Sequence, residues 1–377
     1  MKIGLVLESF DPKKGGLEQW TWQFAGRLIE AGHELHIIAC SFAPWKTSPS
    51  PQLHPVPHSS SPRQRAAAMA QVLQELNLDV VHDMGTGWQA DLFHPHGGSS
   101  RAFQEHNLMR IPRWRQIRFW RQKRYREHAE IEDRQHANEK ALIVAVSEMV
   151  REHFRKLHGV PQDRIRLIPN GVDTDRFSPQ SGAPHREQMR LELNCRDHET
   201  LFLLIANNLP LKNAKVAIEA LARLIAKGTR ARLVIVGGRR PKPFVRLVDK
   251  LGLADRVAFI SPVEDVRPYY AAADVYLHPT WYDPCSLVAL EALACGLPVI
   301  TTRYNGVSEI ITDGEQGFLL DDPADLSTLT DQMRTLSEPE TRLPMGLAAR
   351  ALALNHTLDR QTESFLALYR ELAPESS

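Results

Sequence analysis

Two carboxylates eight positions apart, Asp283 and Glu291, bracket the start of a helix-period stretch, Tyr282 to Pro298 (YDPCSLVALEALACGLP). Apolar and small residues recur at Leu287, Leu290 and Ala294, with Val288 and Ala292 one step off. Asp283 or Ser286 suits the N-cap, and Pro284 suits the first turn. Gly296 stops the helix, Pro298 bars its return, and Val299 to Thr302 follows as a strand. This order sets a helix N-terminus at the mouth of a strand-helix-strand unit. Its free N–H groups, at Cys285, Ser286, Leu287 and Val288, suit an anion such as a diphosphate. Glu291, two turns further in, is placed to accept hydrogen bonds from ribose hydroxyls.

A second phosphate-type feature lies near the start. Lys2 to Leu7 reads as a buried parallel strand, and Leu17 to Ala31 as a helix. Between them Gly15-Gly16 lets the backbone come close to a ligand phosphate. A strand from Glu34 to Cys40 completes half of a Rossmann-like unit.

The third feature is electrostatic. Residues 101–126 hold nine Lys or Arg against one acid, Glu105. Trp114, Phe119, Trp120 and Tyr125 are interleaved with Arg115, Arg118, Arg121 and Arg124. Each cation gains about 1 kcal/mol near acidic lipid, and aromatics sit at the headgroup level. The pattern predicts docking on an anionic membrane surface. Nucleic acid would use the same residue types, but net charge over the whole chain is only +1, so no nucleic-acid partner is expected. A charged helix packing on its own domain is the plainer alternative.

The 377 residues exceed one ordinary core. Strands are expected at Val80 to His82, Ala141 to Val146, Leu201 to Ala206, Arg232 to Val236, Val257 to Ile260 and Val275 to His278. Helices alternate with them, so the class is α/β. Residues 47–63 read as a surface loop and residues 179–195 as a polar boundary loop. Two Rossmann-like domains facing a cleft are expected, 1–170 and 171–356. Cys40, Cys195, Cys285 and Cys295 show no metal or disulfide spacing and read as reduced thiols. MKIGLVLESF reads as a strand rather than a signal peptide, and no run of about 18 apolar residues occurs. The expected localisation is cytoplasmic, peripheral on the inner face of the plasma membrane.

The central stretch resembles the donor site of family-4 retaining glycosyltransferases of the GT-B fold, which implies that the last helix, within 357–377, crosses back to the first domain. Their Glu-x7-Glu followed by Ala-x-Ala-x-Gly-x-Pro reads here as Asp283-x7-Glu291-Ala-Leu-Ala-Cys-Gly-Leu-Pro. Asp283 stands one methylene short of the usual glutamate. IRLIPNGVDTDRFSP (165–179) resembles the family's linker, GGLEQ (15–19) its diphosphate loop, and DGEQGFLL (313–320) a family turn and strand. The segment 101–126 is similar in character and placement to one that holds lipopolysaccharide core glucosyltransferases to the inner membrane.

The resemblance implies a nucleotide-diphosphate sugar, most simply a UDP-sugar, as co-substrate. A lipid-linked or saccharide acceptor, lipopolysaccharide core among them, is its partner. Lys212 matches the family's phosphate lysine, but Asn207 stands where an arginine is usual; Arg239, Arg240 or Arg303 could take its place. His96, beside Gly97-Gly98, resembles the acceptor-side histidine, with His94 the other choice. His96, Lys212 and Asp283 are thus the catalytic candidates. Gly15, Gly16, Lys212, Glu291 and the amides of residues 285–288 are the donor-binding ones. Charge on the leaving diphosphate falls to amides and Lys212, so no metal or other cofactor is expected. Asp321-Asp322 and Asp173-x-Asp175 suit turns and caps rather than a metal pair. The alternatives are transfer to a soluble acceptor, paired-carboxylate hydrolysis, and a non-catalytic nucleotide-sugar binder.

Overall fold

The computed structural model describes residues 1–111, 116, 123–238 and 241–373. The chain divides into two units: Met1–Pro169 with Asp359–Ser377, and Asn170–Leu358.

The first unit is built on seven parallel strands: β1 (Lys2–Val6), β2 (Glu34–Ala39), β3 (Gln52–Pro55), β4 (Val80–Asp83), β5 (Leu92–Phe93), β6 (Leu142–Ala145) and β7 (Ile165–Leu167). Their order across the sheet is β3-β2-β1-β4-β5-β6-β7. Its helices are α1 (Gly16–Glu30), α2 (Pro62–Gln74), α3 (Ser100–Met109), α4 (Lys123–Ala137) and α5 (Glu148–His158). β1 and β2 are buried along nearly their whole length, as a parallel sheet covered on both faces requires. α1 buries Trp20, Phe24 and Leu28, one turn apart, along one stripe.

The second unit carries helix α6 (Pro179–Glu192), strands β8 (Thr200–Ala206), β9 (Ala231–Gly237), β10 (Val257–Ile260), β11 (Val275–His278), β12 (Val299–Thr302) and β13 (Gly317–Leu320). Between and after them come α7 (Ala214–Ala226), α8 (Lys242–Lys250), α9 (Arg267–Ala272), α10 (Leu287–Ala294), α11 (Leu326–Ser337) and α12 (Pro339–Ala353). The sheet order is β10-β9-β8-β11-β12-β13, all parallel. Phe202, Leu204, Leu221, Leu233, Ile235, Leu277, Ile300 and Met333 fill its core. Winding reverses between β8 and β11, and such a switch point opens a crevice at the strands' C-terminal ends.

The last helix, α13 (Leu358–Leu372), belongs with the first unit from Asp359 on. Trp20 Nε1 donates to Gln361 Oε1 at 2.8 Å, Tyr369 Oη lies 2.5 Å from His82 Nδ1, and Arg27 pairs with Asp359 at 2.6 Å. The passages into and out of the second unit run side by side, Val172 N donating to His356 O and Leu358 N to Val172 O, each at 3.0 Å. Gly171 permits that approach, since a Cβ there would stand 2.5 Å from Thr357 O.

Two stretches expected to be loops are structured. Residues 52–55 add β3 at the sheet edge, paired in parallel with β2. Residues 179–192 form α6, because Ser178 and Ser181 make a capping box with Pro179 at the first helical turn. Arg186 and Arg190 then fasten α6 to the carbonyls of residues 271–273 and to Asp274. No apolar period advertises a helix held by such polar contacts. Among the described residues no helix is long and apolar enough to cross a membrane, and all four cysteines are free.

Candidate functional site

The site is built where β8 and β11 part. The turn after β8 brings Lys212, and the loop after β11 brings Asp283. Trp281 N donates to Leu211 O at 2.9 Å and Thr280 Oγ1 to Leu211 O at 3.2 Å, so the two loops are tied together. The Asp283 backbone is fixed from the other side: its N–H donates to Tyr304 O and its carbonyl accepts from Gly306 N, both at 2.9 Å.

Lys212 Nζ lies 2.5 Å from Asp283 Oδ2, and His278 Nε2 lies 2.9 Å from the same oxygen. Tyr276 Oη sits 3.3 Å from His278 Nδ1. Burial alone would raise the Asp283 carboxyl. The Lys212 ammonium and the His278 hydrogen bond outweigh it and hold the group well below the usual carboxylate range. Burial also lowers His278. The imidazole is therefore neutral, and an Nε2–H directed at Asp283 leaves Nδ1 to accept from Tyr276.

Ser286 caps α10, its hydroxyl accepting from Ala289 N at 3.4 Å. Neither Asp283 nor Pro284 enters the helix. The Ser286 N–H is already given to Asn305 Oδ1 at 3.2 Å, and the Cys285 carbonyl accepts from Asn170 Nδ2 at 2.8 Å. Of the four amides expected to receive an anion, Leu287 and Val288 are the first two helical positions, which have no intrahelical acceptor. The Cys285 thiol is buried and pushed up to about 12 by that burial.

Glu291 is half-buried on α10. Tyr270 Oη donates to its Oε2 at 2.8 Å. Burial lifts the carboxyl to about 7, against the lowering pull of Tyr270 and of the Arg176 charge. Asn207 is exposed at the tip of the β8 turn. Gly237, at φ +98°, lets β9 end against that turn, a Cβ there falling 2.6 Å from Ala206 O. Arg303 is paired with Asp321 at 2.5 Å, and Arg239 and Arg240 lie outside the described residues.

The first unit holds the remaining candidates. Gly15 is the N-cap of α1 and provides no side-chain cap; Gly16 is the first helical residue. Of the two histidines, His94 is fully buried, packed between His82, Trp20 and Phe365 at centroid distances of 5.3, 5.3 and 5.0 Å. His96 is partly exposed, with its ring 4.4 Å from Trp20 and 4.0 Å from His94. Burial lowers it to about 3, so it is a neutral imidazole. His96 is thus the less buried of the two, although its Nε2 is covered and has no hydrogen-bond partner. Asp83, unremarked in the sequence, accepts from Thr86 N at 2.6 Å and Gly87 N at 2.8 Å and pins the loop that follows β4. Arg115, Arg118, Trp120 and Arg121 lie outside the described residues, as does the Arg124 side chain. In the described flank Arg101 is spent on Glu105 and Leu157 O, and Arg110 on Asn107.

Tyr270, Tyr276, His278 and Asn305 were not singled out from sequence. Tyr276 and His278 lie two apart on β11, hence on one face, and that spacing was the available signal. Tyr270 and Asn305 come from distant stretches and carry none.

The model of group 1 glycosyl transferases matches residues 185–351, and that of glycosyltransferase family 4 matches residues 14–176. Two parallel-sheet Rossmann-like units with this content define the GT-B class. The chain belongs to the family-4 glycosyltransferases of that fold.

It is 34% identical over 234 residues to a D-inositol 3-phosphate glycosyltransferase of Acidothermus cellulolyticus, covering 58% of this chain and 50% of that protein. To the lipopolysaccharide glucosyltransferase WaaG of Escherichia coli it is 30% identical over 234 residues, covering 61% and 62%. The chain thus spans about half to three-fifths of these relatives' length. The WaaG crystal structure superposes with a TM-score of 0.82 at 24% identity, covering 97% of this chain and 99% of that one. HepE of Anabaena, solved in complex with UDP and glucose, gives a TM-score of 0.76 at 20% identity, covering 98% and 100%.

Proposed function

We propose that the protein transfers a hexose from a nucleotide-diphosphate sugar, a UDP-sugar, to a membrane-associated glycolipid, with retention of configuration and without a metal. The observation that carries this reading is the junction after β8 and β11. There the Lys212 ammonium, the Leu287 and Val288 amides and Glu291 stand within one loop pair and one helix. Leu287 and Val288 suit the diphosphate, and Glu291 suits the ribose. Lys212, held on Asp283, supplies the charge that stabilises the leaving group as the glycosidic bond breaks. The departing phosphate oxygen then takes the acceptor proton on the same face. His96, kept neutral, is a hydrogen-bonding partner for the acceptor or the transferred sugar rather than a cation.

The acceptors named for the relatives divide. Lipopolysaccharide and phosphatidylinositol monomannoside are lipids, whereas D-inositol 3-phosphate is not. The basic and aromatic residues of 101–126 favour a lipid; a soluble acceptor is the second reading. The test of activity is nucleotide release on mixing donor with candidate acceptors, in buffer with excess chelator. Turnover restored only by magnesium or manganese would overturn the metal-free mechanism. The test of docking is co-sedimentation with neutral and anionic vesicles. Wild type should prefer anionic vesicles and weaken with salt, since exposed charges are screened over about 8 Å at physiological ionic strength. A variant with Arg115, Arg118, Arg121 and Arg124 changed to Ser should lose the preference. Equal partitioning of both proteins would favour the soluble acceptor.

A further inference from the structure

Away from the donor residues, in the first unit, α3, α4 and α5 converge on a cluster that the transfer chemistry does not use. Glu132 and His136 stand four apart on α4, on one helical face, and His158 ends α5. One ligand atom from each lies within 4.8 Å of the others. The Glu132 and His158 side chains are 9% and 7% exposed, and Glu132 Oε1 is 3.5 Å from His158 Nε2. The His136 and His158 rings are 4.3 Å apart. His136 Nδ1 is buried without a hydrogen-bond partner.

The carboxylate is oriented from behind: Ser100 N donates to Oε1 at 3.0 Å and the Ser100 hydroxyl donates to Oε2. Ser99 Oγ, the N-cap of α3, lies 2.8 Å from His158 Nε2. The Ser100 bonds orient the carboxylate as outer partners orient a metal's ligands, whereas Ser99 sits on the His158 nitrogen that would ligate and is displaced when a metal binds. The cluster lines a cavity of about 830 Å³, which Asp133 also borders. Arg101, on the same wall, has its charge engaged by Glu105.

We propose that Glu132, His136 and His158 bind a divalent transition ion of the zinc type. Two imidazoles and a carboxylate are a borderline donor set that favours such ions over calcium or magnesium. At Zn–N and Zn–O lengths of about 2.0–2.2 Å, tetrahedral ligand atoms lie roughly 3.3 Å apart. Glu132 Oε1 and His158 Nε2, 3.5 Å apart, already hold nearly that spacing, and the third ligand, within 4.8 Å of both, closes by at most about 1.5 Å. The fourth position faces the cavity, for water or Asp133. Bound there, the ion staples α4 and α5 to the N-terminus of α3, on either side of the sequence that carries the basic and aromatic residues. The site is separate from the donor chemistry, so chelation loosens the first unit while transfer in the cold continues.

The test is titration of the chelator-stripped, dialysed full chain with Co2+, read by its visible d–d bands, and with Zn2+, read by the unfolding midpoint. Wild type should take up one Co2+ with the intense bands of a tetrahedral site. Zn2+ at about 100 times its dissociation constant should raise the midpoint by roughly 5 °C. Glu132→Gln and His158→Gln should each abolish both signals, and His54→Gln, where His54 Nε2 lies 2.9 Å from His36 Nδ1 across β2 and β3, should keep both. Absence of saturable one-to-one binding in wild type overturns the proposal. So does retention by Glu132→Gln or His158→Gln, or loss in His54→Gln. Should a variant not fold, the wild-type titration decides alone.

Discussion

Raising the pH from 6 to 8 should tighten binding of an intact nucleotide-diphosphate sugar about tenfold, and Glu291→Gln should remove that dependence. Burial lifts Glu291 to about 7. Ribose hydroxyls donate to a carboxylate acceptor, so the ionised form is the competent one. It makes up about a tenth of the protein at pH 6 and about nine-tenths at pH 8. Apparent affinity scales with that fraction, which gives the tenfold change, or about 1.4 kcal/mol. The sign for stability is opposite. A folded value above the unfolded one means that the unliganded protein loses stability as pH rises from about 4.5 through 7. Calorimetric titration at pH 6, 7 and 8 with the intact donor is the assay, because its diphosphate has no oxygen that titrates in this window. Tyr270→Phe removes a hydrogen bond that lowers Glu291 and should move the midpoint upward. Flat affinity in wild type, or an unchanged slope in Glu291→Gln, would refute the assignment of Glu291.

Other substitutions probe the remaining parts of the site. Lys212→Met leaves Asp283 with only His278 for a partner; stability should fall by about 1–3 kcal/mol and turnover by at least tenfold, read by thermal melts and nucleotide release. His96→Gln should lower turnover at least a hundredfold with little change in melting temperature. His94→Leu should leave turnover intact and change stability by less than about 1 kcal/mol, because neither ring nitrogen of His94 has a hydrogen-bond partner to lose. Equal kinetic damage at both histidines would contradict the separation of their roles.

Much of this was legible before the structure because the deciding signals were local. Buried parallel strands announce themselves as apolar runs, and Leu287, Leu290 and Ala294 with Gly296 and Pro298 mark α10 and its end. Ser286, Lys212 and Glu291 follow from one helix and one turn. What escaped depends on residues brought together by the sheet. α6 is a helix because Arg186 and Arg190 find Asp274 across the unit, not because its sequence has an apolar stripe. Tyr270 reaches Glu291 from another helix, and Asn305 takes the Ser286 amide from the loop after β12. The N-cap was left open between Asp283 and Ser286, since either side chain suits that position. The pairing of Asp283 with Lys212 and His278 decides it.

The most direct measurement is a crystal structure of the protein with a bound UDP-sugar. The diphosphate should lie within hydrogen-bond reach of the Leu287 and Val288 amides and of Lys212 Nζ, with the ribose hydroxyls on Glu291. A nucleotide seated elsewhere, or one whose ribose leaves Glu291 with Tyr270 as its sole partner, would contradict the account.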